Sequence, residues 1–447
     1  MPRLISPKPG GRSLTILIYG FLGLIAIGTL LLALPISNVA NKFVSPIDAL
    51  FTSTSSVCVT GLIVVDTGTF WTPFGQAVIL VLIQLGGFGF MTSATLLLLM
   101  LGRRIGLRER ILIGESIGLN KYGGVVGLIK KMAIFTIVLE VTGALIFYTR
   151  LSAGQPMGTA VWRSVFHSIS AFNNAGFDIF GNFTSMIGYR DDVVIVLATA
   201  ALIILGGISF IVLRDIYTVR SFKKLALDSK IVIVTTVALL IVGMIVLLVT
   251  ESVNDATLGD VGWSQRLLDA FFQAITPRTA GFTTISIGQM ANYALFFTMM
   301  LMFIGGASGS TAGGIKVNTF GMLSATLFSS LRWRDQVGAF GRSFPVGLVY
   351  RALAIVMLAI GYIAVMVLVL SMTESFAFID IFFETVSAFG TVGLSTGITP
   401  QLSTAGRLII TVTMFVGRLG PLTLALSLIR RQQTPKYRYP NESLRIG

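Results

Sequence analysis

Four short stretches of the chain combine residues of the type and spacing that can bind a bare cation. In each, small polar and apolar residues lead to a glycine followed by Leu or Phe, between two long apolar segments. They are 57–62, 172–177, 277–282 and 389–394. Because glycine tolerates positive φ, the backbone there can turn its carbonyl oxygens toward a common centre. Rings of carbonyl oxygens replace the hydration shell of a cation in pores, so an ion-binding ring of main-chain atoms is predicted.

The composition places such a ring in a membrane. Of the 447 residues, 54% are hydrophobic and only 12% are charged, and the mean hydropathy is +0.86, outside the range of soluble domains. The apolar run 14–34 is long enough to span a bilayer, and we expect it to remain as the first helix. The single Cys58 excludes an intrachain disulfide, and the single His167 argues against a histidine-based metal site or catalytic triad.

Elements of the same kind and order surround each glycine. A spanning segment comes first, a short helix leads to the glycine, and a second apolar segment returns. The first segments are 14–34, 129–149, 231–249 and 346–370. The short helices begin near Pro46 and cover 162–172, 267–276 and 379–389 in the later copies. The returning segments are 74–101, 193–213, 291–328 and 405–429.

The spacing within the four copies indicates an internal repeat. Asp48, Asp269 and Asp380 precede the loop glycines by 13, 12 and 13 residues, and Ser164 precedes its glycine by 12. An aromatic residue or histidine stands three residues after each of these positions. These residues are Phe51, His167, Phe272 and Phe383. The returning segments carry glycines at corresponding places, namely Gly86, Gly206, Gly305 and Gly417.

The predicted fold is all-α and integral to the membrane, with four pseudo-symmetric repeats around one central pore. It has eight transmembrane helices and four pore half-helices. The repeats are expected at 1–125, 126–228, 229–343 and 344–447, the last with a short cytoplasmic tail. Their pore loops are expected at 45–66, 162–180, 266–287 and 378–399. Non-helical backbone at mid-membrane is tolerated only where it lines water or an ion; ordinary surface turns are the alternative.

Charged residues set the expected orientation. Most of the 33 Lys and Arg residues lie between repeats or near the chain ends, which places these segments and both termini on the cytoplasmic side of the cell membrane. Most of the 19 Asp and Glu residues fall on the other side. A negatively charged pore entrance, here called the mouth, raises the local concentration of cations, so the pore is expected to carry cations.

The four loops, the Asp-to-Gly spacing and the interrupted third returning segment resemble the Trk/Ktr/HKT family of potassium transporters, and within it the bacterial Ktr membrane subunit. The sequence departs from the pattern at Ser164 and at Pro277-Arg278. The resemblance implies that the four loop glycines select potassium over sodium, with potassium in the filter as the only metal. The expected filter residues are Val59, Thr60, Gly61, Asn174, Ala175, Gly176, Thr279, Ala280, Gly281, Thr391, Val392 and Gly393.

An unusual segment interrupts the returning helix of repeat 3. Residues 305–314 contain five glycines, each costing about 1 kcal/mol in a helix, so a continuous helix is not expected. A polar segment below the ring indicates a gate, as the resemblance also implies; close packing of small residues is the alternative. The expected gating residues are Gly305, Gly306, Ala307, Ser308, Gly309, Ser310, Thr311, Ala312, Gly313, Gly314, Lys316 and Arg418.

Two charged residues lie inside apolar segments. Arg418 is a functional candidate because of its depth, and the resemblance implies an electrostatic barrier under the filter that a moving gate relieves. The alternative for Arg418 is a side chain that reaches cytoplasmic water and has no role. For Glu140, an internal hydrogen bond is favoured over proton coupling. His167 is expected to occupy an aromatic packing position.

The leading functional hypothesis is potassium uptake through one pore per chain, without enzymatic activity or a covalent cofactor. A sodium-selective or sodium-coupled porter, with Na⁺ as activating or coupling ion, is the alternative. An integral membrane enzyme is disfavoured, because the sequence offers no nucleophile or metal constellation. The resemblance implies a homodimer seated on a cytoplasmic ring of nucleotide-binding RCK subunits. The basic loops also suit anionic lipid head groups, and no nucleic-acid partner is expected.

Overall fold

The computed structural model describes residues 11–89, 92–93, 95, 124–332 and 337–420. Repeat 1 contains α1 (Gly11–Ala33), α2 (Pro46–Cys58), α3 (Thr67–Phe70) and α4 (Pro73–Phe88). Repeat 2 contains α5 (Val125–Leu151), α6 (Met157–Phe172), α7 (Val193–Gly207) and α8 (Phe210–Val219). Repeat 3 contains α9 (Leu227–Glu251), α10 (Trp263–Ile275), α11 (Asn292–Phe303) and α12 (Val317–Leu331). Repeat 4 contains α13 (Val346–Thr373), α14 (Phe378–Gly390) and α15 (Thr404–Leu419).

The connection between repeats 3 and 4 carries the two strands of the described residues. β1 (Gly338–Ala339) pairs antiparallel with β2 (Arg342–Ser343), with Gly338 opposite Ser343. Below, α1, α5, α9 and α13 are called outer helices. The helices α2, α6, α10 and α14 are called re-entrant helices, and α4, α7, α11 and α15 are called returning helices. Each repeat therefore contributes one helix of each kind, in the predicted order.

The outer helices and the returning helices differ in length. Among the described residues, α5, α9 and α13 are each long and apolar enough to cross a membrane. The helices α7 and α8 are long and apolar enough only when taken together, and they are bent relative to each other. In α1, the stretch Ile18–Ala33 is apolar. The returning helices α4, α11 and α15 have 16, 12 and 16 residues, because each ends at a break.

These breaks differ from the returning segments expected from the sequence. The segment 193–213 forms no continuous helix, because the chain bends by 94° between α7 and α8. α4 ends at Phe88 and α15 at Leu419, each followed by a glycine with positive φ, Gly89 or Gly420. Glycine adopts positive φ at little cost, so it can turn the chain away from the helix at these positions. In repeat 3, residues 304–316 separate α11 from α12, as the glycine content predicts. Residues 90–91, 94, 96–101 and 421–429 of the expected segments lie outside the described residues.

Local sequence explains where the helices begin and end. The side chains of Thr72, Asp192 and Ser403 accept hydrogen bonds from backbone amides in the first turns of α4, α7 and α15. Such N-caps satisfy amides that have no partner within the helix. The re-entrant helices α2 and α14 are followed directly by Val59 and Thr391, which both have positive φ. This conformation turns the chain out of the helix.

The four repeats follow one another around a single axis. The returning helix of each repeat packs against the re-entrant helix of the next: α4 on α6, α7 on α10, and α11 on α14. The last pair, α15 on α2, joins repeat 4 to repeat 1. The arrangement is therefore closed, and one central axis is shared by four pseudo-symmetric repeats.

One layer of the core repeats in all four copies. The residues three places after the aligned Asp or Ser are fully or almost fully buried; they are Phe51, His167, Phe272 and Phe383. The ring of His167 contacts Phe147 and Phe282 edge-on at centroid distances of 4.7 and 4.9 Å. His167 thus occupies an aromatic packing position, as expected, and its Nε2 lies 3.0 Å from Thr199 Oγ1.

Candidate ion-binding ring and intramembrane loop

The four glycine loops share one backbone conformation. Every loop glycine has positive φ, with values of 91° at Gly61, 70° at Gly176, 75° at Gly281 and 92° at Gly393. The residue two places earlier also has positive φ in every loop. These residues are Val59, Asn174, Thr279 and Thr391. Two residues with positive φ, two places apart in the sequence, therefore recur in each of the four loops.

The loops contact one another in a closed ring. A Cβ added to Gly61 would lie 2.5 Å from the Ala175 carbonyl oxygen. The same relationship recurs between successive repeats. A Cβ added to Gly176 would lie 2.9 Å from the Ala280 carbonyl oxygen, and one added to Gly281 would lie 2.6 Å from the Val392 carbonyl oxygen. A Cβ added to Gly393 would collide with the Thr60 carbonyl oxygen. Any side chain here would displace the neighbouring main chain. The structure therefore brings the four loop glycines together with Thr60, Ala175, Ala280 and Val392, eight of the twelve residues expected to form the filter, in one closed ring.

Hydroxyl side chains at the ends of the re-entrant helices hold the loops in place. In repeats 1 and 4, Ser55 Oγ accepts a hydrogen bond from the Gly61 amide at 3.1 Å, and Ser387 Oγ accepts one from the Gly393 amide at 3.2 Å. In repeats 2 and 3 the hydroxyl donates instead to the carbonyl after the glycine, from Ser170 to Phe177 at 2.6 Å and from Thr276 to Phe282 at 2.5 Å.

These four hydroxyl residues were not predicted from the sequence. Their signal is a Ser or Thr that precedes the loop glycine by six residues in repeats 1, 2 and 4 and by five in repeat 3. Because hydroxyl residues are frequent near helix ends for other reasons, the pattern has meaning only after the repeats are aligned on their glycines.

The glycines of the returning helices have a packing function. A Cβ on Gly86, Gly206 or Gly417 would collide with the carbonyl oxygen of a residue in the last turns of its own repeat's re-entrant helix. The three carbonyls belong to Val57, Phe172 and Phe389, each four residues before the loop glycine. Repeat 3 departs from this pattern, because Gly305 approaches the Gly313 carbonyl of its own segment.

Residues 305–314 are here called the intramembrane loop. Where this loop begins and ends, residues 304–306 lie beside residues 315–317, and these two short segments are here called the neck. The Gly305 amide donates to the Ile315 carbonyl at 2.8 Å, and the Val317 amide donates to the Gly306 carbonyl at 3.0 Å. Lys316 Nζ donates to the Ala312 carbonyl at 2.5 Å, so its charge is directed back at the loop.

The intramembrane loop lies next to the glycine loop of repeat 4 and is bound by repeat 2. A Cβ on Gly313 would collide with Thr391 Oγ1, and one on Gly314 would lie 3.2 Å from the Gly390 carbonyl oxygen. On the opposite side, Thr311 Oγ1 donates to the Gly206 carbonyl at 3.0 Å. The Ala307 amide likewise donates to the Gly207 carbonyl at 3.0 Å.

Arg418 joins the intramembrane loop to two further repeats. From α15 its Nη1 donates to the Thr311 carbonyl, and its Nη2 donates to the Gly86 carbonyl at the end of α4. The guanidinium is thus fixed between main-chain oxygens. This arrangement favours a role at the loop over a side chain that extends into water.

Glu140 has internal hydrogen-bond partners, as expected. Its Oε1 accepts from Asn173 Nδ2 at 3.1 Å, and its Oε2 accepts from Gln84 Nε2 at 3.3 Å. Asn173 follows the last residue of the re-entrant helix of repeat 2, whereas Gln84 lies in the returning helix of repeat 1. The carboxylate therefore joins two repeats behind the ring.

The mouth, where the re-entrant helices begin, is less negative than its sequence suggests. Asp48 forms a salt bridge with Arg407 at 2.5 Å, and Asp269 forms one with Arg190 at 2.6 Å. The first pair joins repeats 1 and 4, and the second joins repeats 2 and 3. Since both aspartates are neutralised by arginines, their main contribution is to hold neighbouring repeats together.

Four re-entrant helices whose glycine loops close one ring define a membrane pore protein of the four-repeat, pore-loop class. A family model described as TrkH, a cation transport protein, matches residues 12–438. The chain belongs to this family of membrane cation transporters, as the resemblance indicated, and it is not an enzyme.

Relatives of known name and a solved structure agree with this assignment. The Ktr system potassium uptake protein B of Bacillus subtilis is 43% identical, over 97% of this chain and 96% of that protein. The potassium/sodium uptake protein NtpJ of Enterococcus hirae is 39% identical over 96% of each chain. The crystal structure of the potassium transporter TrkH from Vibrio parahaemolyticus matches with a TM-score of 0.73 at 22% identity, covering 96% of this chain and 87% of that chain. At that identity the likeness concerns the fold.

Proposed function

We propose that the protein takes up potassium across the cell membrane through the ring of four glycine loops. The observation that carries the proposal is the closed contact of each loop glycine with the carbonyl group of the next repeat. The named relatives from Bacillus subtilis and Vibrio alginolyticus, which are potassium uptake proteins, support potassium as the ion.

The ring replaces water around the ion with main-chain oxygens. Carbonyl groups of 59–61, 174–176, 279–281 and 391–393 form the filter and coordinate a dehydrated cation. The four hydroxyl contacts hold each loop at a fixed distance from the axis. The C-terminal ends of the re-entrant helices carry partial negative charge, which stabilises a monovalent cation below the filter without a buried carboxylate.

The intramembrane loop acts as the gate below the filter. It is bound to Gly206 and Gly207 of repeat 2 and to Arg418 of repeat 4, while Lys316 holds it from within. Two cationic side chains close to the axis oppose the passage of a cation. Movement of the loop away from the axis breaks its contacts to repeats 2 and 4 and opens the path.

The protein is oriented with both termini in the cytoplasm and works as a homodimer on a ring of RCK-type nucleotide-binding subunits. The support for a regulatory partner is that these relatives are named as proteins of a Ktr system. The Lys and Arg residues of the cytoplasmic connections provide contacts for that partner and for anionic lipids.

Sodium transport is the second candidate function, because the relative from Enterococcus hirae is named a potassium/sodium uptake protein. A main-chain ring of the same architecture can serve either ion, and Na⁺ can also act as a coupling ion.

The test is ion uptake in cells stripped of their own potassium uptake systems. We expect the protein to restore growth at low potassium and to carry K⁺ or Rb⁺ in preference to Na⁺. Equal or faster Na⁺ uptake in the absence of potassium would establish the second candidate instead. No uptake of either ion by protein present in the membrane would contradict both.

A further inference from the structure

Arg278 is a charged side chain at a position where the other repeats carry none. It stands three residues before Gly281, and the corresponding residues are Cys58, Asn173 and Gly390. Only 6% of Arg278 is exposed. It lies just beyond the C-terminal end of α10, where the helix dipole favours a cation. The next residue, Thr279, belongs to the ring.

The guanidinium of Arg278 is directed at the neck of the intramembrane loop. Its Nη1 lies 3.3 Å from the Ile304 carbonyl oxygen and 3.4 Å from the Gly305 carbonyl oxygen, and donates to both. These two residues belong to the segment of the neck that precedes the loop. The Gly305 amide joins it to the segment that follows the loop by a hydrogen bond to the Ile315 carbonyl. In addition, a Cβ on Gly305 would lie 3.2 Å from Thr279 Cγ2. The neck therefore contacts both Arg278 and the ring.

This polar contact replaces the packing that the other repeats use. In repeats 1, 2 and 4, a returning-helix glycine lies directly against a carbonyl of the re-entrant helix, and such close packing has little freedom to change. In repeat 3, long hydrogen bonds from a side chain make the connection. Hydrogen bonds of this kind can break and re-form with other carbonyls as a segment moves.

The surroundings of Arg278 allow such a change. Among the described residues, its Nε and Nη2 groups have no hydrogen-bond partner. Arg278 also lines a small cavity together with Gly207, Ile275, Gly305 and Gly306. The neck has space beside it, and the guanidinium has donors available for a second position of the neck.

Arg278 and Arg418 bind different parts of the intramembrane loop. Arg418 donates to Thr311 near the middle of the loop and lies 25 residues after Gly393 in its own repeat. Arg278 donates to the neck and is covalently joined to the filter residue Thr279. Displacement of the neck is therefore transmitted to the filter segment of repeat 3 through Arg278, whereas Arg418 is bonded to Thr311 and Gly86, neither of which is a filter residue.

We propose that Arg278 is a positioning residue that connects the neck of the intramembrane loop to the filter of repeat 3, so that gate position and ion selectivity change together. The inference rests on the proposed function.

The experiment measures Rb⁺ and Na⁺ uptake per molecule by purified full-length protein in liposomes, for the wild type and single variants. Arg278→Gln is expected to lower the Rb⁺ to Na⁺ ratio by about fivefold, the equivalent of one hydrogen bond of average strength, and to change the flux. Arg278→Lys is expected to retain the wild-type ratio, because a single nitrogen already reaches both carbonyls. Arg418→Gln, the matched control, is expected to raise flux at an unchanged ratio.

An unchanged ratio in Arg278→Gln, beside a wild type that selects Rb⁺, would overturn the inference. A ratio that falls equally in Arg418→Gln would overturn it as well. If Arg278→Gln does not fold, Gly305→Ala tests the same connection, since its Cβ would collide with the Gly313 carbonyl and displace the neck; an unchanged ratio there would also overturn it. A wild type without preference for Rb⁺ contradicts the proposed function itself, whatever the variants do.

Discussion

Gly393 in the last repeat lies against the carbonyl group of Thr60 in the first repeat, so closely that a Cβ on Gly393 would collide with that oxygen. About three quarters of the chain separates these two residues in sequence. Their contact completes the series that runs through Gly176 and Gly281. A single polypeptide therefore builds a ring that is usually expected from four identical subunits, and each repeat supplies one quarter.

The first prediction concerns the ring glycines. Gly281→Ser introduces a Cβ 2.6 Å from the Val392 carbonyl oxygen and strains a left-handed residue by about 1 to 2 kcal/mol. The ring widens, and Na⁺ permeation rises relative to K⁺ in competition uptake assays. Gly361→Ser in α13 is the matched control, because no atom outside its own turn of helix lies within 4 Å of its Cβ position. Unchanged selectivity in Gly281→Ser would count against the ring as the filter.

The second prediction concerns the hydroxyl groups behind the ring. Ser387→Ala removes the acceptor of the Gly393 amide, and a lost hydrogen bond of this kind costs about 1 kcal/mol. The loop of repeat 4 becomes less rigid, and the preference for K⁺ over Na⁺ falls several-fold. Ser387→Thr keeps the hydroxyl and retains more of the preference. Equal selectivity in the Ala variant and the wild type would show that the hydroxyl does not position the loop.

The third prediction concerns helix packing. Replacing a glycine inside a helix by alanine usually stabilises a protein, whereas here we expect the replacement to destabilise it. Gly417→Ala places a Cβ against the Phe389 carbonyl, and such overpacking destabilises by about 1 to 3 kcal/mol. Gly361→Ala, in open surroundings, should stabilise by up to about 1 kcal/mol, the helix propensity difference. Thermal unfolding in detergent measures both. A melting temperature of Gly417→Ala at or above that of the wild type would contradict the packing role.

The fourth prediction concerns the gate. Deletion of 307–312 removes the segment bound by Gly207, Gly206 and Arg418, and the rate of ion uptake should rise while the ring remains intact. The measurement is the initial rate of Rb⁺ uptake, normalised to protein in the membrane. Flux equal to that of the wild type would favour the alternative, that these small residues serve only close packing.

The features predicted from the sequence are those that repeat along the chain. The four loop glycines, the aromatic layer at Phe51 and His167, and the break at 305–314 all follow from local composition and from spacing that recurs. The features missed are contacts between distant residues. The salt bridge of Asp48 with Arg407 and the bonds of Arg418 to Thr311 and Gly86 depend on the closed arrangement of repeats, which no local pattern encodes.

The bend after Gly207 was missed for a different reason. Its surroundings are apolar and read as one spanning segment, whereas the bend exposes the Gly206 and Gly207 carbonyls to Thr311 and Ala307. The returning helix α7 of repeat 2 therefore ends at the point where its carbonyl groups accept hydrogen bonds from the intramembrane loop of repeat 3. Hydropathy cannot detect such a requirement, because it is set by a segment about one hundred residues later in the chain.

The most direct test of the central claim is to locate the bound ion. Crystals of the protein grown with Rb⁺ should show an anomalous peak on the axis of the ring, surrounded by carbonyl oxygens from 59–61, 174–176, 279–281 and 391–393. The peak should weaken in Gly281→Ser. Anomalous density confined to the periphery, with none between the four glycine loops, would contradict the account.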